Sequence, residues 1–324
     1  MTSIPHIDDL NASRERISDS VDRTPTVSSR SLSERVGRPV LLKCENLQKT
    51  GSFKVRGALN RILTLDDPAR ERGVVTISAG NHAQAVAWAA ARIGVSATVV
   101  MPAHASPAKA RASEGYGAEV ILHGTVFEAF DLSLELAESR GLTFLHAFDD
   151  PLIVAGQGTL GLEVMEDVPD AATVVVPIGG GGLISGVALA VANHSPTVRV
   201  FGVEPHGACA MRQSLDKGEA VHLDSVDTVA DGLGAPMAGE LNFEIVRRYV
   251  EDVVLVSDAE IQEAMAFILE RTKLLAEPAG AAAVAALLAG RIPLAEGPVV
   301  AVLSGGNVDL ERLPDLLGGT TPAS

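Results

Sequence analysis

Runs of aliphatic and β-branched residues alternate with amphipathic segments along nearly the whole chain of 324 residues. Short apolar runs of this kind predict buried strands, and apolar residues spaced three or four apart predict helices. The predicted strands cover 40–45, 74–77, 97–101, 119–122, 143–145, 173–177, 198–203 and 299–303. Repeated strand and helix favour parallel sheets with helices on both faces, so the sequence predicts an α/β protein.

Helix-start signals place the helices between these strands. Ser106 followed by Pro107 is typical of a helix start, and Ser257 with Glu260 forms a capping box. The predicted helices cover 7–20, 81–93, 106–116, 126–140, 183–193, 258–275 and 278–289. The polar and weakly patterned stretch 216–231 is predicted to be a surface loop.

Composition and charge argue against several classes of partner. The formal net charge is −15 at pH 7 and no basic run is present, so a nucleic-acid or anionic-membrane surface is not expected. The uncharged stretch 173–192 is long enough to cross a membrane, but Pro177 and four consecutive glycines would break such a helix. Cys44 and Cys209 form neither a disulfide framework nor a zinc spacing, and no signal peptide is visible. A cytoplasmic location is therefore expected.

One lysine stands where a helix is predicted to begin. Gly51 and Ser52 are typical of a loop and an N-cap, so Lys54 is expected in the first turn of a helix. The positive end of the helix dipole and burial beside Phe53 would both lower the pKa of this amine. A neutral buried lysine is what imine chemistry requires. The alternative is a surface lysine that happens to start a helix.

A run of four glycines, 179–182, joins the predicted strand 173–177 to the next helix. Glycines there let successive backbone N–H groups converge on an anion, and the helix N-terminus adds its dipole. Because ligands bind at the carboxyl ends of strands in α/β sheets, a phosphate site is favoured over a flexible turn.

Two other phosphate motifs receive less support. The P-loop pattern GxxxxGK[ST] does not occur in the sequence. The stretch 156–161 reads GxGxxG, but a dinucleotide site would need an acidic residue roughly 20 positions later, where the glycine run stands instead. These glycines are predicted to open a close-packed helix over 159–166.

Two further polar stretches follow predicted strands. The stretch 78–82 offers backbone donors for a carboxylate together with the Asn81 amide, and 304–307 places the Ser304 hydroxyl at the end of the last strand. Each alone is compatible with a helix cap or a turn. The eight histidines show no paired spacing, and GxSxG is absent from the sequence, so a catalytic zinc and a serine hydrolase are not expected.

The chain resembles the pyridoxal-phosphate serine/threonine dehydratase family, which has fold type II and includes serine racemases. The resemblance covers residues 7–313 and is carried by four stretches in the family's order: 52–58, 78–84, 179–182 and 304–307. It implies two open, twisted and mostly parallel sheets. It also implies a small domain of residues 53–148 inserted into a large cofactor-binding domain of residues 1–52 and 149–324.

The resemblance assigns roles residue by residue. It implies that Lys54 forms the Schiff base with pyridoxal 5'-phosphate. The other cofactor contacts that it implies are Phe53 near the ring, Asn81 at the ring hydroxyl, Gly179, Gly180, Gly181, Gly182 and Leu183 at the phosphate, and Ser304 at the pyridine nitrogen. The substrate is expected at Ser78, Ala79, Gly80, Asn81 and His82.

The implied activity is elimination of water from L-threonine or L-serine, giving a 2-oxo acid and ammonia. The freed Lys54 amine would remove the Cα proton while the ring stores the charge. The Ser304 hydroxyl cannot keep the pyridine nitrogen protonated as an aspartate would, which favours prompt elimination. The alternatives are a dehydratase for another β-hydroxy amino acid such as 3-hydroxyaspartate, a serine racemase-like enzyme, and a cofactor-binding protein without turnover.

The sequence departs from the racemase branch at three positions. Racemases that resemble it carry a serine where Ala79 stands, an asparagine where Phe148 stands and an aspartate metal ligand where Ala210 stands. Glu204 and the carbonyl of Ala208 match the family's metal stretch, which leaves room only for a monovalent or weakly bound divalent cation. We expect an amino-acid substrate, a homodimer or homotetramer, and no regulatory domain.

Overall fold

The computed structural model describes residues 3–317 of the chain. Its strands form two separate sheets, one of six strands and one of four. The strands pair in parallel, apart from one antiparallel pair at an edge of the larger sheet. This arrangement confirms the predicted α/β class with two mostly parallel sheets.

The described residues contain ten strands. In chain order they are β1 (Thr26–Ser28), β2 (Val40–Cys44), β3 (Val74–Ile77), β4 (Ala97–Met101), β5 (Glu119–Leu122), β6 (Thr143–Phe144), β7 (Thr173–Pro177), β8 (Arg199–Pro205), β9 (Asp252–Val256) and β10 (Val299–Leu303). The larger sheet has the order β1-β2-β10-β7-β8-β9, and the smaller has the order β5-β4-β3-β6.

Helices connect the strands and cover both sheets. They are α1 (Ile7–Ile17), α2 (Arg30–Val36), α3 (Lys54–Leu63), α4 (Asp67–Arg72), α5 (Asn81–Arg92), α6 (Pro107–Gly115), α7 (Val126–Arg140), α8 (Pro151–Asp167), α9 (Gly182–His194), α10 (Ala210–Lys217), α11 (Glu240–Tyr249), α12 (Asp258–Thr272), α13 (Pro278–Leu288) and α14 (Leu313–Leu316). Short 3₁₀ segments cover Glu45–Leu47, Lys49–Gly51 and Asp231–Leu233.

All four strands of the smaller sheet lie within the predicted small domain, 53–148. The domain limits themselves stay a prediction. Residues 1–2 and 318–324 of the predicted large domain lie outside the described residues.

Strand β10 shows how the larger sheet is buried on both faces. Val299, Ala301 and Leu303 pack in the apolar core formed with α12 and α13. Val300 and Val302 point the opposite way, into the core formed with α8 and α9. Side chains of a strand alternate between faces, so an unbroken apolar run is required where helices cover both sides.

The smaller sheet is covered in the same way. Val74 and Val99 belong to a core shared with α3, α5 and α6, whereas Val75 and Val100 pack against α7. Helices therefore lie on both faces of each sheet, as predicted.

The uncharged stretch 173–192 forms strand β7, the glycine loop and helix α9, as predicted. Among the helices of residues 3–317, none combines the length and apolar character needed to cross a bilayer.

The prediction for the GxGxxG stretch was wrong in its helix boundary. Its glycines lie in the middle of α8, which begins at Pro151 behind the N-cap Asp150. A Cβ on Gly156 would lie 2.7 Å from the carbonyl oxygen of Arg56, and one on Gly161 would lie 2.7 Å from Ala190. The glycines thus let α3 and α9 approach α8 closely.

Several elements of the second half of the chain escaped prediction: α8 in its full length, α10, α11 and β9. The stretch 216–231 is a loop only from Gly218 onward, because α10 extends to Lys217 and Asp231 opens a 3₁₀ turn. Strand β9 lies at an edge of the larger sheet and is only partly buried, although its run of four apolar residues, 253–256, is a strand signal that the sequence analysis missed.

A buried ionic network fastens α3 to α8. Arg56 donates to Glu45 at 2.8 Å and to Glu163 at 2.7 Å, and Glu163 also pairs with Lys43 at 2.8 Å. Removing one partner of such a network leaves an uncompensated buried charge, which typically costs about 3–5 kcal/mol. The network therefore fixes the position of the helix that begins with Lys54.

We predict that Gly156→Ala lowers the free energy of unfolding by about 1–3 kcal/mol, because its methyl group overpacks the α3–α8 contact. Gly115→Ala is the matched control, since a Cβ there meets no atom within 4 Å and alanine favours a helix. Urea unfolding followed by circular dichroism measures both. Equal stability of the two variants would contradict the close-packing account of α8.

Candidate active site

A short antiparallel pairing joins the start of α3 to the residues after β10. The N–H of Phe53 donates to the carbonyl of Ser304 at 3.1 Å, and the N–H of Gly306 donates to the carbonyl of Gly51 at 2.9 Å. We call this pairing the α3–β10 ladder. It brings the first residue of α3, Lys54, to the carboxyl end of the last strand.

A cavity of about 730 Å³ lies where strand ends of both sheets meet. Every predicted cofactor and substrate residue lines it: Phe53, Lys54, Ser78, Ala79, Gly80, Asn81, His82, Gly179, Gly180, Gly181, Gly182, Leu183 and Ser304. Four motifs that lie far apart in the chain thus share one site. The role of each residue stays a prediction.

Lys54 has the environment expected of a reactive amine. Its Nζ donates to the carbonyl of Ala147 at 3.1 Å and lies 5.2 Å from the centre of the Phe53 ring. Burial lowers the pKa of Lys54 to about 8, while the nearby Glu277 carboxylate opposes the shift. A lysine with this pKa has a far larger neutral fraction near pH 7 than an ordinary lysine, and the neutral form attacks carbonyl carbons.

The start of α3 corrects one detail of the sequence prediction. Phe53, and not Ser52, occupies the N-cap position, and it makes no side-chain cap bond. Ser52 is extended because its backbone bridges to Gly305 within the ladder. Lys54 nevertheless lies in the first turn of the helix, as predicted.

The glycine loop between β7 and α9 leaves no room for side chains. Gly181 has a φ of +97°, which favours glycine. A Cβ on Gly181 would lie 2.7 Å from Asn242, and one on Gly180 would overlap the ring of Phe148. The first N–H groups of α9 have no intrahelical acceptors and lie at the positive end of the helix dipole. The loop therefore fits a phosphate group.

Asn81 is bound by Glu277, a residue that sequence reasoning missed. The Nδ2 of Asn81 donates to Oε1 of Glu277 at 2.5 Å. Burial raises the pKa of Glu277 to about 7, against the opposing effect of this hydrogen bond. In the sequence, Glu277 precedes Pro278 and resembles an ordinary helix start. A single acidic residue within an apolar stretch of the sequence is the signal that could have identified Glu277 as a site residue.

Two histidines, His82 buried and His146 partly buried, lie near the amine. Burial, and to a lesser extent the nearby Lys54, lower the pKa of His82 to about 3. His146, also missed from the sequence, has a pKa lowered by burial, and its Nδ1 accepts the N–H of Asp149 at 2.8 Å. Both imidazoles are therefore neutral at pH 7 and place no positive charge beside Lys54.

The end of β10 presents a hydroxyl to the cavity. Ser304 is buried, and its Oγ donates to the carbonyl of Ala279 at 3.5 Å. The side chain is neutral and lines the same wall as Lys54.

The predicted cation stretch lies at the start of α10. The Glu204 carboxylate accepts the N–H groups of Met211 at 2.9 Å and Arg212 at 2.8 Å, and burial raises its pKa to about 8. Within the described part of the chain, no group of three or more His, Cys, Asp or Glu side chains is placed to bind a metal ion. Ala208 can contribute only its carbonyl, and Ala210 has no side-chain oxygen. The cation site stays a prediction.

The cavity thus combines a reactive lysine, a phosphate-sized glycine cradle and a neutral hydroxyl, which fit an aldehyde cofactor with a phosphate group. The profile of the family described as pyridoxal-phosphate dependent enzymes matches residues 17–305. The chain belongs to this family. Its cofactor is pyridoxal 5'-phosphate.

Curated relatives are similar over most of this chain. The L-threonine ammonia-lyase of Geobacter sulfurreducens is 48% identical over 300 residues, which cover 92% of this chain and 75% of the relative. The L-threonine ammonia-lyase of Thermotoga maritima is 45% identical over 96% of this chain and 78% of the relative. A catabolic L-threonine dehydratase of Escherichia coli is 43% identical over 96% of both chains.

Solved structures share the arrangement. Maize serine racemase superposes with a TM-score of 0.93 at 39% identity, covering 97% of each chain. The processed form of threonine deaminase isoform 2 from Solanum lycopersicum superposes with a TM-score of 0.91 at 36% identity, covering 98% of this chain and 91% of that chain. The fold is that of the fold type II pyridoxal-phosphate enzymes, as predicted.

We predict that the rate at which the apoprotein binds pyridoxal phosphate covalently rises with pH, is half maximal near the Lys54 pKa of about 8 and reaches its plateau about one pH unit higher. Only the neutral amine reacts, and burial lowers the pKa of Lys54 to about 8. Stopped-flow absorbance measures the rate, normalised at each pH to the reaction of the cofactor with a free lysine derivative. A normalised rate that keeps rising toward pH 10 would contradict the lowered pKa.

We further predict that activity depends weakly on divalent ions, because Glu204 and nearby carbonyls supply only part of the six-oxygen shell that magnesium prefers. Turnover after dialysis against a chelator tests this. Strong inactivation that magnesium or manganese reverses would show that other ligands complete the site.

Proposed function

We propose that this enzyme eliminates water from a small β-hydroxy amino acid, L-threonine or L-serine, to give a 2-oxo acid and ammonia. The observation that carries the proposal is the presence of Lys54 and Ser304 in one cavity with the glycine cradle. The curated relatives named L-threonine ammonia-lyase and L-threonine dehydratase support the same reaction.

Lys54 is proposed as the residue that binds the cofactor and then moves the proton. When bound, pyridoxal phosphate withdraws electrons from the Cα of the substrate. Lys54 would hold the cofactor through its amine, and the same amine, once free, would accept the Cα proton of a bound substrate. A lysine with its pKa lowered to about 8 suits this step, because it is a competent base and is neutral in a useful fraction near pH 7.

The remaining residues are proposed to orient the reactants. The N–H groups of Gly179–Gly182 and Leu183 would bind the phosphate, Phe53 would pack near the ring and Asn81 would donate to the ring oxygen. Ser304 would face the ring nitrogen without giving it a full positive charge, which would weaken electron withdrawal by the ring and favour prompt loss of the β-hydroxyl.

The stretch 78–82 is proposed to bind the substrate carboxylate. It leads from β3 into α5, and the N–H of Gly80 bonds the Oγ of Ser78 at 3.1 Å, which shapes the turn. The N–H groups of Asn81 and His82 begin the helix and lack intrahelical acceptors. Free donors at a helix N-terminus suit an anionic carboxylate.

A panel of substrates tests the proposal. The purified holoenzyme is incubated with L-threonine, L-serine and 3-hydroxyaspartate, and the release of 2-oxo acid is measured. We expect turnover of L-threonine or L-serine. Turnover of 3-hydroxyaspartate alone would favour the alternative dehydratase, and no oxo acid with any substrate would indicate a cofactor-binding protein without turnover.

Assembly and location are also proposals. We propose a homodimer or homotetramer, since apolar side chains such as Phe127 and Leu134 of α7 are exposed and provide surface for contacts between copies. The free cysteines Cys44 and Cys209 support a reducing cytoplasm. Light scattering of the purified protein tests the assembly.

The similarity to maize serine racemase raises racemisation as a second candidate, and Ala79 argues against it. Racemisation needs a proton donor on the face of Cα opposite Lys54, and a methyl group cannot supply a proton. Loss of a positioned acid or base typically costs about 10²- to 10⁴-fold in rate. Elimination should therefore dominate with L-substrates.

We predict that L-serine yields pyruvate with little D-serine, and that Ala79→Ser raises the rate of D-serine formation detectably. Chiral chromatography and an oxo acid assay on the same samples measure both rates. Ala79→Gly is the matched control, because it changes the side chain without adding a hydroxyl. Wild-type enzyme that forms D-serine as fast as pyruvate would contradict this interpretation of Ala79.

A further inference from the structure

Glu277 is a buried carboxylate in the cavity wall to which neither the resemblance nor the proposed reaction gives a task. It precedes α13, yet its side chain makes no cap bond to that helix. Its carboxylate bonds the Asn81 amide at 2.5 Å instead. A buried charge is costly unless a partner satisfies it, so a role within the cavity must account for its presence.

The backbone carbonyl of Thr50 determines the direction of the hydrogen bonds that run through Asn307 to Asn81. The carbonyl of Thr50 can only accept, so the Nδ2 of Asn307, 2.6 Å away, must be the donor there. The same Nδ2 donates to Oδ1 of Asn81 at 2.8 Å. The Nδ2 of Asn81 must therefore face the opposite way, toward the carboxylate of Glu277.

An amide nitrogen has two N–H groups, and Glu277 accepts one of those of Asn81. The other is left for the cavity that Asn81 lines. With Asn307 on one side and Glu277 on the other, the Asn81 amide cannot rotate by 180° without placing its oxygen against the carboxylate. Asn81 therefore presents a hydrogen-bond donor, and not an acceptor, to the cavity.

The glycine after Ser304 makes this arrangement sterically feasible. A Cβ on Gly305 would overlap Oε1 of Glu277 and would lie 3.2 Å from Nδ2 of Asn81. Gly305 also belongs to the α3–β10 ladder. The backbone that sets the position of Lys54 therefore also leaves the space in which Asn81 and Glu277 meet.

We propose that Glu277 is a positioning residue that, together with Asn307, holds the Asn81 amide with one N–H directed at the ring oxygen of pyridoxal phosphate. Glu277 acts through Asn81 and does not itself touch the cofactor. The proposal concerns binding of the cofactor and not the proposed substrate. Its test therefore remains valid even if the enzyme releases no 2-oxo acid from the substrates tried.

A double-mutant cycle tests the proposal. The dissociation constant of pyridoxal phosphate is measured by equilibrium dialysis of the holoenzyme with absorbance detection, for wild type, Glu277→Ala, Asn81→Ala and the double variant. We expect Glu277→Ala, which removes the acceptor of the Asn81 N–H, to weaken cofactor binding about 10- to 100-fold, the range expected for loss of a hydrogen bond to a charged group. In the Asn81→Ala background the same change should have less than about a threefold effect.

A change of equal size in both backgrounds would overturn the proposal, because Glu277 would then act independently of Asn81. An unchanged dissociation constant in both would overturn it as well. Glu277→Asp keeps the carboxylate and should restore part of the affinity. Ser257→Ala is the control for stability: it removes the hydroxyl that caps α12, outside the cavity wall, and should lower the melting temperature without changing the absorbance spectrum of the cofactor.

Asn307→Ala keeps the proposal testable if Glu277→Ala does not fold. This change removes the donor to Oδ1 of Asn81 and frees the amide to rotate. We expect weaker cofactor binding that again depends on Asn81. An Asn307→Ala enzyme that binds the cofactor as tightly as wild type would show that the amide needs no fixed orientation.

Discussion

The active site depends on the α3–β10 ladder, the backbone pairing of the α3 start with the residues after the last strand. Its hydrogen bonds between Phe53 and Ser304 and between Gly306 and Gly51 join opposite ends of the chain. Each buried backbone group left without a partner would cost about 1–3 kcal/mol, so the pairing cannot open without a large loss of stability. The position of Lys54 is consequently set by the carboxyl end of β10.

The opposite side of α3 is fixed by charge and by close packing. Arg56 is buried between Glu45 and Glu163, and the glycines of α8 let that helix approach the backbone of α3. A helix held on two sides can keep an amine in surroundings that lower its pKa, because the unfavourable burial of Lys54 is offset by the contacts of its neighbours. The lowered pKa of Lys54 thus depends on the contacts that hold α3 in place.

Much of this site could be predicted because its motifs are local. Lys54, the glycine run and Ser304 each follow a recognisable strand or loop signal, and parallel sheets bring strand ends together. Glu277 could not be predicted in this way, since its partner Asn81 lies 196 positions away and only the fold places them in contact. The first part of helix α8 was not predicted, because glycines inside a helix resemble a turn in the sequence. Only the structure shows that α3 and α9 pack closely against these glycines.

The central claim is that Lys54 carries the cofactor, and chemical trapping tests it most directly. The holoenzyme is reduced with borohydride, digested and analysed by mass spectrometry to locate the pyridoxyl group. The account predicts that the label lies on Lys54. A label on Lys43, Lys49 or Lys109, with Lys54 unmodified, would contradict it.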